Sequence, residues 1–295
     1  MPVRAARLHE IGGMPVIDEI DAPLDGGAFK ISAAGLNPVD VSIGSGRFYA
    51  GTPETPYVIG SEAIGQTAAG ARMWLRGQGL MAELVSAPAW SFEVPDGVSD
   101  ALALACGVAG LTGWLAITWR APVGPEDTVL VLGASGTLGA TALQGAKLLG
   151  ARRVIGAARR TEAIPACADE VFDLSSREDL PRSTLIIDGL WGEPFERALA
   201  AAANGVRVVQ LGQSAGAGAT ILSGWVRGKM ATILGHSLMA APPEVARRGF
   251  VELCEHARAG RISLAIESYP LEDVARAWTR QASGSPGSKI VVELS

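Results

Sequence analysis

Three glycines follow a short apolar run in the middle of the chain, in the sequence V-L-V-L-G-A-S-G-T-L-G at residues 129–139. The β-branched and leucine residues predict a strand, and the Ala-rich residues 140–149 predict a helix directly after it. Such a turn exposes backbone N–H groups at the positive end of a helix, where an anion can come close because glycine has no Cβ. The spacing is G-x-x-G-x-x-G and not the commonest dinucleotide fingerprint, so alone it indicates either a phosphate site or an ordinary strand-to-helix turn.

Two arginines follow the next predicted strand. After residues 154–158 the chain reads Arg159 and Arg160, and the first acidic residue is Glu162. A dinucleotide site for NAD carries Asp or Glu at this place, whereas a site for NADP brings a cation to the 2′-phosphate. Guanidinium groups bind phosphate with a planar, permanently charged fork. The pair therefore favours NADPH, and a loop with two solvated arginines is the alternative.

The elements that must position these residues alternate between strand and helix. Alternation with continuously apolar strands predicts a parallel sheet that is buried on both faces. We predict strands at 128–132, 153–157, 185–188, 207–211 and 232–234, with helices after the first three. Beyond them we predict a helix at 242–259, a strand at 262–268, a helix at 271–281 and a final strand at 289–294 that returns to the N-terminal domain.

Residues 3–94 differ in pattern from the alternating block. Short apolar runs are separated there by Gly, Pro and Asp clusters, which is typical of a β-rich domain. A helix is predicted at 38–45, with Asn37 at its cap and Pro38 at its first position. Residues 102–119 carry no charge and approach the length of a membrane span, but their glycines and threonines favour a buried helix.

Composition limits the classes of function. The chain has 295 residues, 48% hydrophobic and 19% charged, which suits a soluble globular protein with two cores. A formal charge of -5 argues against a nucleic-acid partner and favours a small molecule. Three widely spaced cysteines form neither a zinc motif nor a disulfide framework, and no apolar run follows the N-terminal arginines. We therefore expect a cytoplasmic protein without a membrane partner.

Four segments together resemble a known family. They are A-G-L-N-P-V-D at 34–40, P-Y-V-I-G-S-E-A-I-G at 56–65, G-L-T-G at 110–113 and the glycine turn itself. In this order they resemble the zinc-free quinone oxidoreductases of the medium-chain dehydrogenase/reductase superfamily. The resemblance implies an α/β protein with a GroES-like β-rich catalytic domain at 1–98 and 261–295. It also implies a Rossmann doubly wound parallel-sheet domain for NADPH at 99–260.

The resemblance also implies roles for individual residues. Asn37 is expected near the nicotinamide or the substrate, and Asp40 is a possible proton donor or a structural hydrogen-bonding group. Ser42 and Phe48 stand where relatives place pocket tyrosines, Tyr49 is adjacent, and His236 is either a pocket or an interface residue. The expected cofactor-binding residues are Thr112, Gly133, Ser135, Gly136, Thr137, Leu138, Gly139, Arg159, Arg160, Gly212 and Gln213.

Zinc ligands are missing from the positions where zinc alcohol dehydrogenases of the superfamily carry them. This chain has Asn37, Ser61 and Val108 there, and none offers the sulfur or imidazole donors that zinc prefers. No metal is therefore expected.

These inferences predict an NADPH-dependent reductase of quinones or α,β-unsaturated carbonyl compounds that works by metal-free hydride transfer. A zinc-free carbonyl reductase or alcohol dehydrogenase of a biosynthetic pathway is an alternative, and a non-catalytic NADPH-binding protein is another. Relatives commonly pair through a Rossmann edge strand, which here predicts a homodimer through residues 232–237.

Overall fold

The computed structural model describes residues 2–23, 28–284 and 286–294. The chain forms two compact units, one of Met1–Val108 with Leu264–Ser295 and the other of Ala109–Ser263. The domain boundaries expected from the sequence, after residues 98 and 260, remain a prediction, and we refer below to the first unit and the second unit.

The elements in chain order are as follows. The strands are β1 (Pro2–Leu8), β2 (Val16–Asp21), β3 (Phe29–Leu36), β4 (Tyr57–Val58), β5 (Glu62–Gln66), β6 (Arg72–Arg76), β7 (Leu84–Val85), β8 (Trp90–Glu93), β9 (Thr128–Leu132), β10 (Arg153–Ala158), β11 (Glu170–Asp173), β12 (Leu185–Asp188), β13 (Arg207–Gln210), β14 (Thr232–Gly235), β15 (Ile266–Pro270) and β16 (Lys289–Glu293). The α-helices are α1 (Pro38–Gly44), α2 (Asp100–Ala105), α3 (Thr112–Leu115), α4 (Thr137–Leu148), α5 (Gly192–Ala201), α6 (Ser223–Lys229), α7 (Pro243–Arg258) and α8 (Val274–Ala282). Short 3₁₀-helices lie at Thr161–Ala163, Leu238–Ala240 and Leu271–Asp273, and π-helical turns at Cys106–Leu111 and Ala116–Arg120.

The first unit is β-rich. Its larger sheet has the order β15-β16-β3-β5-β6-β8, with β7 also paired to β3, and its smaller sheet has the order β2-β1-β4. β16 pairs antiparallel with β3, with Ile290 opposite Leu36, which confirms that the closing strand returns to the N-terminal part. Leu8, Leu36, Ile290 and Trp278 lie in its apolar core.

The second unit contains a parallel sheet of the order β11-β10-β9-β12-β13-β14. This is the doubly wound Rossmann order, in which a ligand binds outside the carboxyl ends of the strands. Val129, Leu130 and Val131 are fully buried, as expected for a strand that is covered on both faces. The mixed α/β architecture predicted from the sequence is therefore confirmed, and β9 and β12 have the predicted bounds.

Several predicted elements differ from those observed. The helix expected after the second strand is wrong, because only the 3₁₀-helix Thr161–Ala163 forms before Pro165, which cannot supply a helical N–H. The strand expected at 262–268 begins later, as β15 at Ile266–Pro270, and both β11 and α6 were not predicted.

The apolar segment Asp100–Arg120, with a mean hydropathy of 1.8, is by length and composition alone sufficient to cross a membrane. In the structure 67% of its apolar window is buried inside the protein, as in a core helix. It is not one regular helix, because Gly107 has a ψ of -133° and interrupts it. A Cβ at Gly107 would lie 2.0 Å from Oε2 of Glu62, so only glycine admits that carboxylate to the backbone.

Candidate active site

The glycine turn of the second unit joins β9 to α4. Gly133 has a φ of +83°, and its N–H donates to the carbonyl of Ala157 at 2.8 Å, which ties the turn to the end of β10. A Cβ at Gly139 would lie 2.3 Å from the carbonyl oxygen of Gly133 and 2.8 Å from the Cα of Ala134. Glycine is therefore required at Gly133 for the backbone conformation and at Gly139 for the close contact between the helix and the turn.

The turn leads into a helix start that suits an anion. Gly136 precedes α4 in an extended conformation, and the first turn of the helix contains no acidic residue. The N–H groups of Thr137, Leu138 and Gly139 lie in that first turn, where a helix offers no carbonyl partner to them. Together with the positive end of the helix dipole, these N–H groups suit an anion, and the buried Ser135 lies in the same turn.

The two arginines lie directly after β10, next to the turn in the sheet. Both side chains are exposed, and Arg160 also pairs with Glu162 at 3.4 Å. Arg159 forms no ion pair within the described part of the chain. Arg159 therefore lies at the end of the second Rossmann strand, the position for which the sequence predicted a 2′-phosphate contact.

On the other side of β9, the backbone segments that follow β12 and β13 pack closely against each other. A Cβ at Gly212, after β13, would lie 2.7 Å from the carbonyl oxygen of Gly189, which follows β12. Gln213 is exposed beyond it. Asp188, at the end of β12, is fully buried, and its Oδ1 accepts the N–H groups of Leu190 and Trp191 at 2.9 and 3.0 Å.

Asp188 stands out because its other oxygen, Oδ2, is buried without a hydrogen-bond partner in the described part of the protein. Burial raises the pKa of this carboxyl group to about 6, and the two backbone N–H groups oppose that rise. A partly protonated carboxyl group therefore lies beside the glycine turn near neutral pH.

His236 directly follows β14 and is also buried, with 9% of its surface exposed. Its ring lies edge-on to Trp119, with 5.8 Å between the ring centroids. Burial is the main cause that lowers the pKa of His236 to about 4, and the positive charge of Arg120 adds to it. The imidazole is therefore neutral at physiological pH.

A buried polar cluster occupies the first unit, formed by Asn37, Asp40, Ser61, Glu62 and Lys289. Each of the five has at most 7% of its surface exposed. Oε2 of Glu62 accepts from Nε1 of Trp74 at 2.8 Å and from the N–H of Val108 at 2.7 Å, while Oε1 accepts from Lys289 and from Asn37. The carboxylate is thus satisfied on both oxygens, as a buried charge must be.

The amide of Asn37 is held on both sides by this cluster. Its Nδ2 donates to Oε1 of Glu62 at 2.8 Å and to Oγ of Ser61 at 3.3 Å, and its Oδ1 accepts from Nζ of Lys289 at 2.6 Å. Since both amide hydrogens are used inside the protein, Asn37 keeps only one lone pair of Oδ1 for a ligand. Asn37 also stands at the N-cap position of α1, as the sequence predicted.

Asp40 serves the start of the same helix. Its Oδ2 accepts the backbone N–H of Asn37 at 2.8 Å and the hydroxyl of Ser61 at 3.1 Å. Burial raises the pKa of Asp40 to about 6, although the Asn37 N–H and the charge of Lys289 lower it. These contacts give Asp40 a structural task, and its pKa is also suited to proton exchange near neutrality.

The predicted pocket residues of the first unit lie at the surface. Ser42 is half-buried in α1, and Phe48 is half-buried after it. Tyr49 has 80% of its surface exposed, and its ring centroid lies 4.7 Å from that of Phe48. The structure therefore groups Phe48 with Tyr49 and places Tyr49 in solvent.

Sequence reasoning did not select Glu62, Lys289 or Asp188 as site residues. Glu62 and Lys289 are separated by 227 positions, so no local spacing connects them. A signal was present nonetheless, since Lys289 opens an otherwise apolar run and a lysine there needs a buried partner.

Within residues 2–23, 28–284 and 286–294, no group of three or more His, Cys, Asp and Glu side chains lies close enough together to hold a metal ion. Thr112, the remaining predicted cofactor residue, opens α3 in the second unit and is half-buried.

Comparison with known proteins supports this assignment of the fold. Residues 149–292 match a family model described as zinc-binding dehydrogenase. That match does not include Asn37, Ser61 or Val108. No curated protein sequence matches the chain significantly.

Solved structures match nearly the whole chain. A quinone oxidoreductase of Pseudomonas syringae pv. tomato DC3000 is 23% identical with a TM-score of 0.86, and 99% of this chain and 100% of that chain are covered. The quinone oxidoreductase of Thermus thermophilus, which was also solved with NADPH, is 25% identical over the same shares, with a TM-score of 0.82. A thermostable alcohol dehydrogenase of Pyrobaculum aerophilum is 21% identical over 100% of both chains, with a TM-score of 0.84. Over nearly its whole length the chain is similar to quinone oxidoreductases, and it has the fold of the medium-chain dehydrogenase/reductase superfamily that the resemblance implied.

Proposed function

We propose that this protein is an NADPH-dependent reductase of quinones or of α,β-unsaturated carbonyl compounds. The observation that carries the proposal is the glycine turn at the carboxyl end of β9, with exposed Arg159 at the end of the neighbouring strand β10. Similarity to a quinone oxidoreductase that was solved with NADPH supports the same cofactor here.

The residues of the second unit fit NADPH. The glycine turn and the first turn of α4 would hold the pyrophosphate, since no side chain blocks the backbone and no acidic residue repels the anion. Arg159 would hold the 2′-phosphate. The segments after β12, β13 and β14 would then hold the nicotinamide half, on the other side of the turn.

When bound, NADPH supplies the hydride. The protein needs only to orient the nicotinamide and the acceptor and to exclude water. Asp40, with its pKa of about 6, is the titratable group that the sequence suggested as a proton donor. Its two accepted hydrogen bonds favour instead a structural task, so solvent would protonate the reduced product.

Zinc does not fit the buried polar cluster. Asn37 and Ser61 are neutral side chains already engaged in hydrogen bonds. The ammonium group of Lys289 lies 2.6 Å from Oδ1 of Asn37, so a cation already occupies the neighbourhood that a zinc ion would need. These contacts support metal-free hydride transfer, which we propose for this chain.

The first experiment is a turnover assay with a panel of benzoquinones, naphthoquinones and enones. Consumption of NADPH with at least one class, and slower consumption of NADH, is expected. Mass and NMR analysis of the product shows whether C=C, C=O or a quinone is reduced, which separates the proposal from a carbonyl reductase or alcohol dehydrogenase. Tight NADPH binding with no consumption across the panel would instead identify a non-catalytic binding protein.

We propose in addition that the protein acts as a homodimer through the edge strand β14. Within the described residues β14 pairs with β13 alone, and residues next to it in the chain expose apolar surface, including Met230 at 71% and Met239 at 60%. An open strand edge with apolar flanks readily pairs with another chain. A cytoplasmic location remains a prediction from composition.

A further inference from the structure

Arg76, the last residue of β6, carries a guanidinium group without a partner. The residue is half-buried, and no hydrogen bond or ion pair joins its side chain to any residue that the structure describes. Its Nε is closed off from solvent, whereas Nη1 and Nη2, which also lack a partner there, keep accessible surface. The stem of the side chain is therefore held in the protein, while the end of the guanidinium fork stays open to a ligand.

The other half-buried arginines of the described residues differ from Arg76, because each of them has a partner. Acidic side chains pair with Arg4, Arg7, Arg72, Arg207 and Arg280, and backbone carbonyl groups accept from Arg120 and Arg197. A guanidinium group is always charged, and burying it without a partner costs free energy. Burial accordingly lowers the pKa of Arg76 from its ordinary value. The exception is explained if the partner comes from outside the chain.

The nearby acids are not partners of Arg76. Glu62 lies directly opposite Arg76 in the antiparallel pairing of β5 with β6. Both oxygens of the Glu62 carboxylate are nevertheless bonded to other groups, and Lys289 neutralises its charge. Oδ2 of Asp40 likewise accepts two hydrogen bonds inside the buried polar cluster. A carboxylate supplied by a ligand would therefore be the first ion-pair partner of Arg76 among these groups.

The position of Arg76 in the sheet places it beside the surroundings of Asn37. Residues opposite each other in antiparallel strands carry their side chains on the same face, so Arg76 shares a face with Glu62. The pairing continues one residue further, where the N–H of Gly77 donates to the carbonyl of Ser61 at 3.2 Å. Ser61 and Glu62 both accept from Nδ2 of Asn37. Arg76 thus borders the cluster that contains the residue predicted from the sequence to lie near the nicotinamide or the substrate.

We propose that Arg76 binds a carboxylate group of the substrate and makes the enzyme selective for carbonyl acceptors that carry such a group. A guanidinium fork can bond both oxygens of a carboxylate through two parallel hydrogen bonds, which gives orientation as well as affinity. The inference rests on the proposed function, because it narrows the substrate class of that reductase. Arg76 anchors the acceptor and takes no part in the hydride transfer itself.

The kinetic test uses two enones that differ in charge, β-acetylacrylic acid and its methyl ester. Hydride from NADPH and a proton from solvent reduce the C=C bond, so the products are levulinic acid and its methyl ester. Arg76→Gln is expected to lower kcat/KM for the acid about tenfold to a hundredfold, as for loss of a charge-assisted hydrogen bond, and to change kcat/KM for the ester less than about twofold. Arg76→Lys keeps the charge without the fork and should retain part of the selectivity.

A binding measurement makes the test independent of turnover. Levulinate and methyl levulinate are titrated by ligand-observed NMR, with and without NADP⁺. Arg76→Gln should weaken binding of levulinate about tenfold and leave binding of the ester unchanged. Arg276→Gln is the matched control, because it removes the same charge from an exposed site of the first unit, and it should change neither the kinetic nor the binding result.

A stability measurement distinguishes a ligand-binding arginine from a structural one. Arg76→Met removes a half-buried cation that has no partner among the described residues. Its denaturant midpoint is therefore expected to lie at or above that of the wild type.

The outcomes separate this inference from the proposed function. If the wild type oxidises NADPH with no acceptor, acidic or neutral, the proposed function fails, and the levulinate titration still decides whether Arg76 binds a carboxylate. If neutral acceptors are reduced and Arg76→Gln affects the acid and the ester alike, only the inference is overturned. A lower denaturant midpoint for Arg76→Met, with levulinate binding unchanged in Arg76→Gln, would show a structural task for Arg76 and would also overturn it.

Discussion

Nζ of Lys289, at the start of the last strand, lies 2.6 Å from Oδ1 of Asn37, at the start of the first helix. The two residues are 252 positions apart, and the same ammonium group also bonds to Glu62. A cation on a residue with only 2% of its surface exposed must be neutralised, and Glu62 is the acid that does so. A buried ion pair and its hydrogen bonds thus connect the N-terminal and C-terminal segments that form the first unit.

Breaking this pair should destabilise the protein strongly. Lys289→Met leaves the Glu62 carboxylate buried without its counter-charge, and we expect a loss of about 3–5 kcal/mol in the free energy of unfolding. Glu62→Gln should cost a similar amount, while the double variant should lose less than the sum of the two. Denaturant unfolding measures all three. Arg258→Met, which breaks the exposed pair with Glu255, is the control and should cost at most about 1 kcal/mol.

The sequence could predict the local features of the fold but not this pair. β9 and β12 are apolar runs between clear breaks, so their bounds were predicted correctly. β11 is half exposed and short, and its alternation is too brief to separate it from a loop. The Glu62 contacts with Trp74 and Lys289 depend on how β3, β5, β6 and β16 pair, and pairing partners are not encoded by spacing along the chain.

The glycine turn, in contrast, could be predicted from the sequence. Its chemistry is local, because a positive φ at Gly133 and a close contact at Gly139 arise within a few residues. The burial of His236 against Trp119 could not be predicted, since Trp119 lies far earlier in the chain.

Gly139→Ala should weaken cofactor binding. The new methyl group would meet the carbonyl oxygen of Gly133 at 2.3 Å, and because this atom belongs to the backbone, α4 must shift away from the turn. NADPH affinity, measured by fluorescence titration, should fall by more than about tenfold, as expected when a helix N-terminus no longer meets its phosphate. Gly228→Ala in α6, where a Cβ meets nothing within 4 Å, is the control. Unchanged affinity in Gly139→Ala would show that the phosphate does not bind at this turn.

Arg159→Ala should remove the preference for NADPH. Loss of a charge-assisted hydrogen bond to a 2′-phosphate is expected to weaken NADPH binding about tenfold to a hundredfold and to leave NADH binding unchanged. Arg160→Ala should have a smaller effect, because Arg160 is already paired with Glu162. Equal losses for the two nucleotides would place the 2′-phosphate elsewhere.

Met230→Glu with Met239→Glu should convert the proposed dimer to a monomer. Both side chains are largely exposed beside the open edge strand β14, and two carboxylates would place like charges across a two-fold interface. Light scattering at working concentration reports the mass. Met14→Glu, at a methionine that is 46% exposed in the first unit, should leave the mass unchanged. A monomeric wild type would contradict the proposal at once.

His236 should make the folded state sensitive to acid. Its pKa is about 4 in the folded protein and 6.5 ordinarily, so between these values the unfolded chain binds a proton that the folded protein does not. Stability should therefore fall as the pH falls from 6.5 towards 4, by up to about 1.4 kcal/mol per pH unit. Asp40 and Asp188 have pKa values raised to about 6, so in the folded protein they bind protons that the unfolded chain does not between pH 6 and 3.8. Their contribution to stability therefore rises as the pH falls through this range. They are present in both the wild type and His236→Phe, so their effect cancels when the two proteins are compared. Denaturant unfolding across this range should thus show a stability difference, wild type minus variant, that declines as the solution becomes more acidic. A difference that stays constant with pH would mean that His236 is already charged, or already exposed, in the folded protein.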